Sequence, residues 1–294
     1  MRSPGSFADR QSWTTLLLGV LLVLPLVPGM AAAETTLERI QRTNTIRVGV
    51  ANEAPYGYVN DAGELTGEAP SIAREILHRI DPEITLEPSV MDFGELIPRL
   101  RSGDIDIIAA GMFVTPSRCA RINFSEPTYV VGESFLVRNG NPKDITTYES
   151  ISRNPDARIG LVAGTVEYNY AMYNGVPSDR APLYRSFTRA IDALKAGEID
   201  AIGMTSLTAR SFARQAGNAE LAATRQFYPV IRSDVEKGYG AFGFRKEDTD
   251  LLRAFNERLT GFVGTDAHWD LVEPFGFAPD MEPDQTTASL CGDS

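Results

Sequence analysis

Apolar and polar positions along this chain fall into two periods that take turns. Short runs in which every residue, or every second one, is apolar read as strands: Ile46–Val50, Thr85–Met91, Asp106–Ala110, Ser134–Val137, Arg158–Ala163, Leu183–Ser186 and Ala201–Met204. Between them apolar residues recur three and four positions apart, the spacing of one helix face, over Pro70–Ile80, Phe93–Arg101, Val166–Tyr173, Thr188–Ala196 and Thr249–Thr260. Such alternation predicts βαβ units, so the expected class is α/β with helices covering mostly parallel sheets.

One junction occurs twice. Leu100-Arg-Ser-Gly-Asp-Ile-Asp-Ile-Ile and Leu194-Lys-Ala-Gly-Glu-Ile-Asp-Ala-Ile align without a gap. In each a helix ends at a basic residue, a glycine supplies the left-handed cap, and a buried strand follows. The echo predicts two similar lobes facing each other, with chance likeness of a common junction as the alternative. The chain is expected to cross between lobes at Val137–Pro142, where Asn139, Gly140 and Pro142 break structure, and to return at Lys237–Phe244. That gives one lobe from residues 34–138 plus 241–280 and the other from 139–240. Paired crossings form a hinge, and hinged lobes close around ligands in the cleft between them. Residues 281–294, acidic and interrupted by Pro283, read as a loose tail.

The charge balance narrows the partners. A formal net charge of −11 over 294 residues, without a basic stripe, argues against nucleic acid. Residues 1–33 read as a cleavable signal: Arg2 and Arg10 flank a polar start, Leu16–Val27 is apolar, and Ala31-Ala32-Ala33 offers a cleavage site. Pro25 and Pro28 break that run before the ~20 residues a membrane span needs. Outside the cytosol the two cysteines, Cys119 and Cys291, can form a disulfide that pins the tail to the first lobe; two unpaired thiols are the alternative.

The chemistry concentrates after the first copy of the junction. Thr115-Pro116-Ser117-Arg118 lies beyond the carboxyl end of a buried strand, where open α/β sheets bind ligands, and Phe113 lies beside it. A guanidinium there can grip a carboxylate through two parallel hydrogen bonds. Pairing of Arg118 with nearby Glu126 is the competing reading. Asp104 and Asp106 lack a partner cluster and recur as Glu198 and Asp200, which favours a structural role over a metal. His78 and His268 have no metal spacing either, so no metal or cofactor is expected.

Taken together, Ile46–Gly49, Gly103–Ile108, Thr115–Arg118 and Phe124–Tyr129 resemble the solute-binding proteins of polar amino-acid ABC importers, family 3, along essentially the whole mature chain. Within that family, Ala51-Asn-Glu-Ala-Pro-Tyr-Gly-Tyr, Leu65-Thr-Gly-Glu-Ala-Pro and Ala109-Ala-Gly-Met-Phe are most similar to the ectoine- and hydroxyectoine-binding proteins. The resemblance implies the two-lobed periplasmic-binding-protein fold and a monomeric receptor that serves an inner-membrane permease. It also implies a cleft for a small zwitterion, with Glu53, Tyr56, Phe93 and Phe113 at the cationic end, Arg118 at the anionic end and Thr115 as a further site residue. Thr165, after Gly164, would lend its hydroxyl and N–H to the ligand carboxylate. Where relatives that bind α-amino acids carry an aspartate for the ammonium group, this chain aligns Thr205. A neutral hydroxyl balances a compact ammonium poorly, which points to a delocalised cation. A receptor for an ordinary polar amino acid, and a secreted dehydratase of the cyclohexadienyl or arogenate type, are the competing functions; the binding protein, not the enzyme, is the expected one.

Overall fold

The repeated junction lies at the middle of each of two sheets. In the computed structural model, which describes residues 33–217 and 219–292, the strand after the first copy, Ile107–Phe113, lies between Thr45–Val50 and Gly238–Phe244. The strand after the second copy, Ala201–Thr205, lies between Ile159–Val162 and Glu133–Arg138. Each central strand runs parallel to the first of these neighbours and antiparallel to the second. Thr85–Val90 and Leu183–Tyr184 extend the two sheets in parallel. In both lobes the antiparallel strand is the one that arrives from the other lobe. All of this belongs to one unit beginning at Glu34; apart from Ala33, the expected signal over residues 1–33 lies outside the described residues.

The junction works as its composition suggests. Gly103 and Gly197 take positive φ (81° and 76°), which turns the chain from helix to strand without strain. Asp106 then accepts from the backbone N–H and guanidinium of Arg47, and Asp200 accepts from the backbone N–H of Arg158 and the guanidinium of Arg138. Ile107, Ile108 and Ile202 follow, fully buried. Helices Glu68–His78 and Thr249–Leu259 cover one face of the first sheet and Leu96–Arg101 the other. Phe187–Ala196 and Ser206–Gln215 pack against one face of the second.

The expected crossings move. Tyr129–Val131 pairs in the first sheet and Glu133–Arg138 in the second, so the chain changes lobes at Gly132 rather than at Val137–Pro142. A Cβ on Gly132 would lie 2.8 Å from the carbonyl oxygen of Phe227, on the returning segment, so the two crossings pass closely only with glycine there. Asn139–Pro142 instead makes a turn inside the second lobe. Likewise Gly238–Phe244 is a complete strand of the first sheet, and the return lies upstream, between Phe227 and Gly238, through a small hairpin of Val230–Ile231 and Asp234–Val235.

The tail is docked: the expected disulfide pins it, although its composition reads as loose. Cys291 is bonded to Cys119. The hydroxyl of Thr287 donates to the carbonyl of Ser125, its backbone N–H donates to Glu126, and Asp284 pairs with Lys237. Its short helix Thr287–Cys291 supplies the anchors that charge and proline content conceal.

Candidate functional site

Strand ends deliver the cleft residues. After Thr45–Val50 the chain turns tightly, with the N–H of Glu53 donating to the carbonyl of Gly57. The turn buries Glu53 and Tyr56, at 5% and 1% exposure. The ring of Tyr56 stacks on Tyr129 (5.2 Å between centroids) and meets the edge of Phe277, so its hydroxyl is the part that reaches the second lobe. Gly111, at φ +66°, makes room for this ring: a Cβ there would lie 2.5 Å from it.

Ile107–Phe113 ends in Phe113, and Thr115 caps the short helix Pro116–Cys119 by accepting from the N–H of Arg118. Arg118 is 8% exposed. Its guanidinium donates to the carbonyl of Phe113 (2.8 Å) and, across the lobes, to the carbonyl of Gly164 (2.9 Å). It lies 5.6 Å from the Phe93 ring centre. Burial lowers its pKa to about 10, which leaves it a cation at neutral pH. A guanidinium has five donors, so three remain for a ligand. Glu126 is not its partner, being engaged by Thr287.

From the second lobe come Thr165, Val166, Glu167 and Thr205, which enclose a narrow chamber together with Glu53, Phe93, Gly111, Phe113 and Arg118. A relay of hydroxyls closes the cleft. Tyr56 donates to Thr205 (2.9 Å), Thr205 to Thr208 (3.1 Å), and Thr208 to the Glu53 carboxyl (2.7 Å). Free space in the chamber is about 20 Å³, room for roughly one water. A second cavity of about 440 Å³ lies outside it, lined by Thr115, Arg121, Tyr173 and Glu236 and sharing the wall made by Arg118.

Of the eight expected site residues, six line the chamber, Tyr56 reaches its wall through the hydroxyl, and Thr115 faces the outer cavity. The expected roles are modified in three places, the first being Phe93, which was expected beside the ligand cation and lies against the Arg118 guanidinium instead. The helix expected to begin at Val166 begins at Glu167, and both the N–H and hydroxyl of Thr165 donate to the carbonyl of Val162. Thr205 caps the helix Ser206–Gln215, accepting from the N–H of Thr208, besides facing the chamber. Glu167 and Thr208 escaped the sequence reading; the polar neighbours of Thr205 were the available signal for Thr208.

The electrostatics are lopsided. Burial raises the pKa of Glu53 to about 8 against the opposing hydrogen bond from Thr208. Burial also raises Glu167, with hydrogen bonds from the local backbone and the charge of Arg118 opposing it. Arg118 is the one cation on the chamber wall. Among the described residues no group of three His, Cys, Asp or Glu side chains is arranged to hold a metal ion, and no helix is long and apolar enough to cross a membrane. The arrangement gathers one guanidinium, two buried carboxyls and two aromatic rings around a single small chamber.

Known proteins share this sequence and architecture. The sequence profile of the bacterial extracellular solute-binding proteins, family 3, matches residues 46–267. A probable amino-acid ABC transporter periplasmic-binding protein of Sinorhizobium fredii is 35% identical over 265 residues, covering 88% of this chain and 87% of the relative. The L-cystine-binding protein of Escherichia coli is 27% identical over 248 residues, covering 83% and 88%. Among solved structures, EhuB in complex with hydroxyectoine superposes with a TM-score of 0.79 at 29% identity, covering 89% of this chain and 99% of that one. An ancestral arginine-binding protein bound to arginine gives 0.68 at 26% identity, covering 80% and 99%.

Proposed function

The chain belongs to the bacterial extracellular solute-binding proteins of family 3, and from that premise we propose that it is a periplasmic receptor for a compact zwitterion, ectoine or hydroxyectoine, which it delivers to an inner-membrane ABC permease. The observation that carries this reading is the meeting of opposite charges in one buried chamber: the Arg118 guanidinium with the carboxyls of Glu53 and Glu167, beside the rings of Phe93 and Phe113. The likeness to EhuB, whose solved complex holds hydroxyectoine, supports the same ligand class.

Magnitudes fit. A desolvated cation–π contact contributes about 2 kcal/mol, and a charge-assisted hydrogen bond ~1.5–3 kcal/mol. One ring, two carboxyls and the guanidinium reach the roughly −8 kcal/mol of micromolar binding after ordering costs. A cyclic amidinium spreads its charge and is weakly hydrated, so an aromatic face can replace water around it. Thr205, where a compact ammonium would need an acid, favours the delocalised cation. The ligand takes the place of the direct contacts from Glu53 to Thr208 and from Arg118 to Gly164, and the lobes part to admit it.

Calorimetry with ectoine, hydroxyectoine, glycine betaine and the proteinogenic amino acids tests the reading. Micromolar binding of ectoine or hydroxyectoine, with the amino acids much weaker, is expected. Tighter binding of glutamine or arginine would sink it in favour of an amino-acid receptor. Turnover of arogenate or prephenate by the purified protein would restore the dehydratase.

A further inference from the structure

We infer that this receptor has a second binding site, for a proton held between Glu133 and Glu167 beside the ligand chamber, and that capture of the ligand's cation expels this proton to solvent. The inference rests on the cleft reading for its ligand, but not for its proton.

Glu133 opens the strand Glu133–Arg138, paired with Thr205 on one side and bridged to Phe227 on the other. Glu167 opens the helix Glu167–Tyr173, whose first turn forms part of the chamber wall. The two are 2% and 4% exposed. Each has one carboxyl oxygen, Oε2, that is buried without a hydrogen-bond partner, and so has the hydroxyl of fully buried Tyr148. Glu133 pairs with Thr205 and Phe135 with Gly203, so Glu133 projects from the same sheet face as a Cβ built on Gly203, which would lie 3.2 Å from the Tyr148 hydroxyl and 3.4 Å from the Glu167 Cβ. Three orphaned polar atoms in one buried spot require an explanation, because buried polar groups are almost always paired.

A shared proton supplies one. Two carboxylates packed together without a cation cannot both ionise; one proton removes the repulsion and turns an orphaned acceptor into a donor. The groups facing the pair, Arg118 apart, add no positive charge. Tyr148 and Tyr170 are neutral, Glu53 in the first lobe adds negative charge once it ionises, and Glu236 faces Tyr170. Arg118 is the one opposing charge, acting on Glu167. Burial, then mutual repulsion, hold Glu133 well above the ordinary carboxylate range.

A zwitterion brings no net charge, but it sets its positive group beside Glu167 and its negative group on Arg118. The positive group can stand in for the proton: the carboxyl O–H breaks, the proton passes to the buffer, and the ligand cation balances the charge left behind. Ligand affinity then rises with pH over the range in which the free pair loses its proton.

The test begins with the protein labelled with [13Cδ]glutamate and titrated by NMR. Two carboxyl resonances are expected to move together in two separated steps, the upper one above pH ~6. In Glu133→Gln they collapse to one step from Glu167, while Glu53 and Glu68 keep titrating as before. Single steps in the ordinary range of ~4–5 for every glutamate of the unaltered protein other than Glu53 and Glu68 would overturn the proton site, whether or not the variant folds. Calorimetry with ectoine in phosphate and in Tris, buffers of different ionisation heat, then counts released protons. Greater release by wild type than by Glu133→Gln supports the coupling, and equal release overturns it. If no heat accompanies ectoine while the two-step titration stands, the proton site survives and the ligand reading falls.

Discussion

Asp106 and the Glu133–Glu167 pair are both buried acids, yet their surroundings are opposite. Asp106 is fully buried, and Arg39, Arg47 and Arg245 all pair with it. Burial pushes its pKa up, but the hydrogen bonds from Arg47 and Arg39 outweigh that and leave it below the usual value. Glu133 and Glu167 are as deeply buried, form no ion pair among the described residues, and are pushed up. The first arrangement holds a sheet to its flanking helix and strands. The second leaves polar atoms unsatisfied beside a cleft, where they gain from an arriving cation. Burial alone therefore does not separate structural from binding acids; the presence of a built-in counter-charge does.

The largest effect should come from breaking the satisfied cluster. Asp106→Ala leaves three arginines facing one another and is expected to destabilise the fold by ~3–5 kcal/mol in urea unfolding, whereas Glu133→Gln should change stability by less than ~1 kcal/mol. Equal costs would erase the contrast. Next, Arg118→Ala is expected to weaken ectoine binding by at least ~3 kcal/mol in calorimetry, because a desolvated carboxylate loses its partner; wild-type affinity would remove Arg118 from the site. Replacing Cys119 and Cys291 by serine opens a loop spanning 172 positions and should lower stability by ~2–4 kcal/mol, with ligand affinity unchanged, since the disulfide lies outside the chamber lining.

The smallest effect is a pH trend of opposite sign at two acids. Glu68 is buried with one hydrogen bond, from Thr128, and burial raises its pKa from 4.5 to about 8. The folded state thus holds a proton that the unfolded chain gives up. Its contribution to stability is complete below pH 4.5 and declines as pH rises towards about 8. Asp106, held low, contributes above the unfolded carboxyl range and loses that contribution as pH falls through its depressed value. Melting temperatures between pH 5 and 8, compared with those of Glu68→Gln, should show a shallower alkaline decline in the variant.

Local signals made one half of the cleft legible. The junction echo located both central strands, and Thr115-Pro116-Ser117-Arg118 located the guanidinium, because cap, proline and strand end are short-range features. Glu133 and Glu167 were not legible, since each is an ordinary glutamate until Tyr148, Gly203 and Phe227 are packed around it. The crossing at Gly132 was hidden for a related reason. The sequence shows a strand over Ser134–Val137 and chain-breaking residues after it, and only the close passage of Gln226 and Phe227 gives Gly132 its purpose. The docking of the tail depends on Ser125 and Glu126, more than 160 positions away.

A crystal structure of the protein with ectoine tests the account most directly. The ligand carboxylate is expected on the Arg118 guanidinium, and the amidinium ring against Phe113 between the carboxyls of Glu53 and Glu167. Ectoine bound elsewhere, or bound in the cleft with Arg118, Glu53 and Phe113 turned away from it, would contradict the central claim.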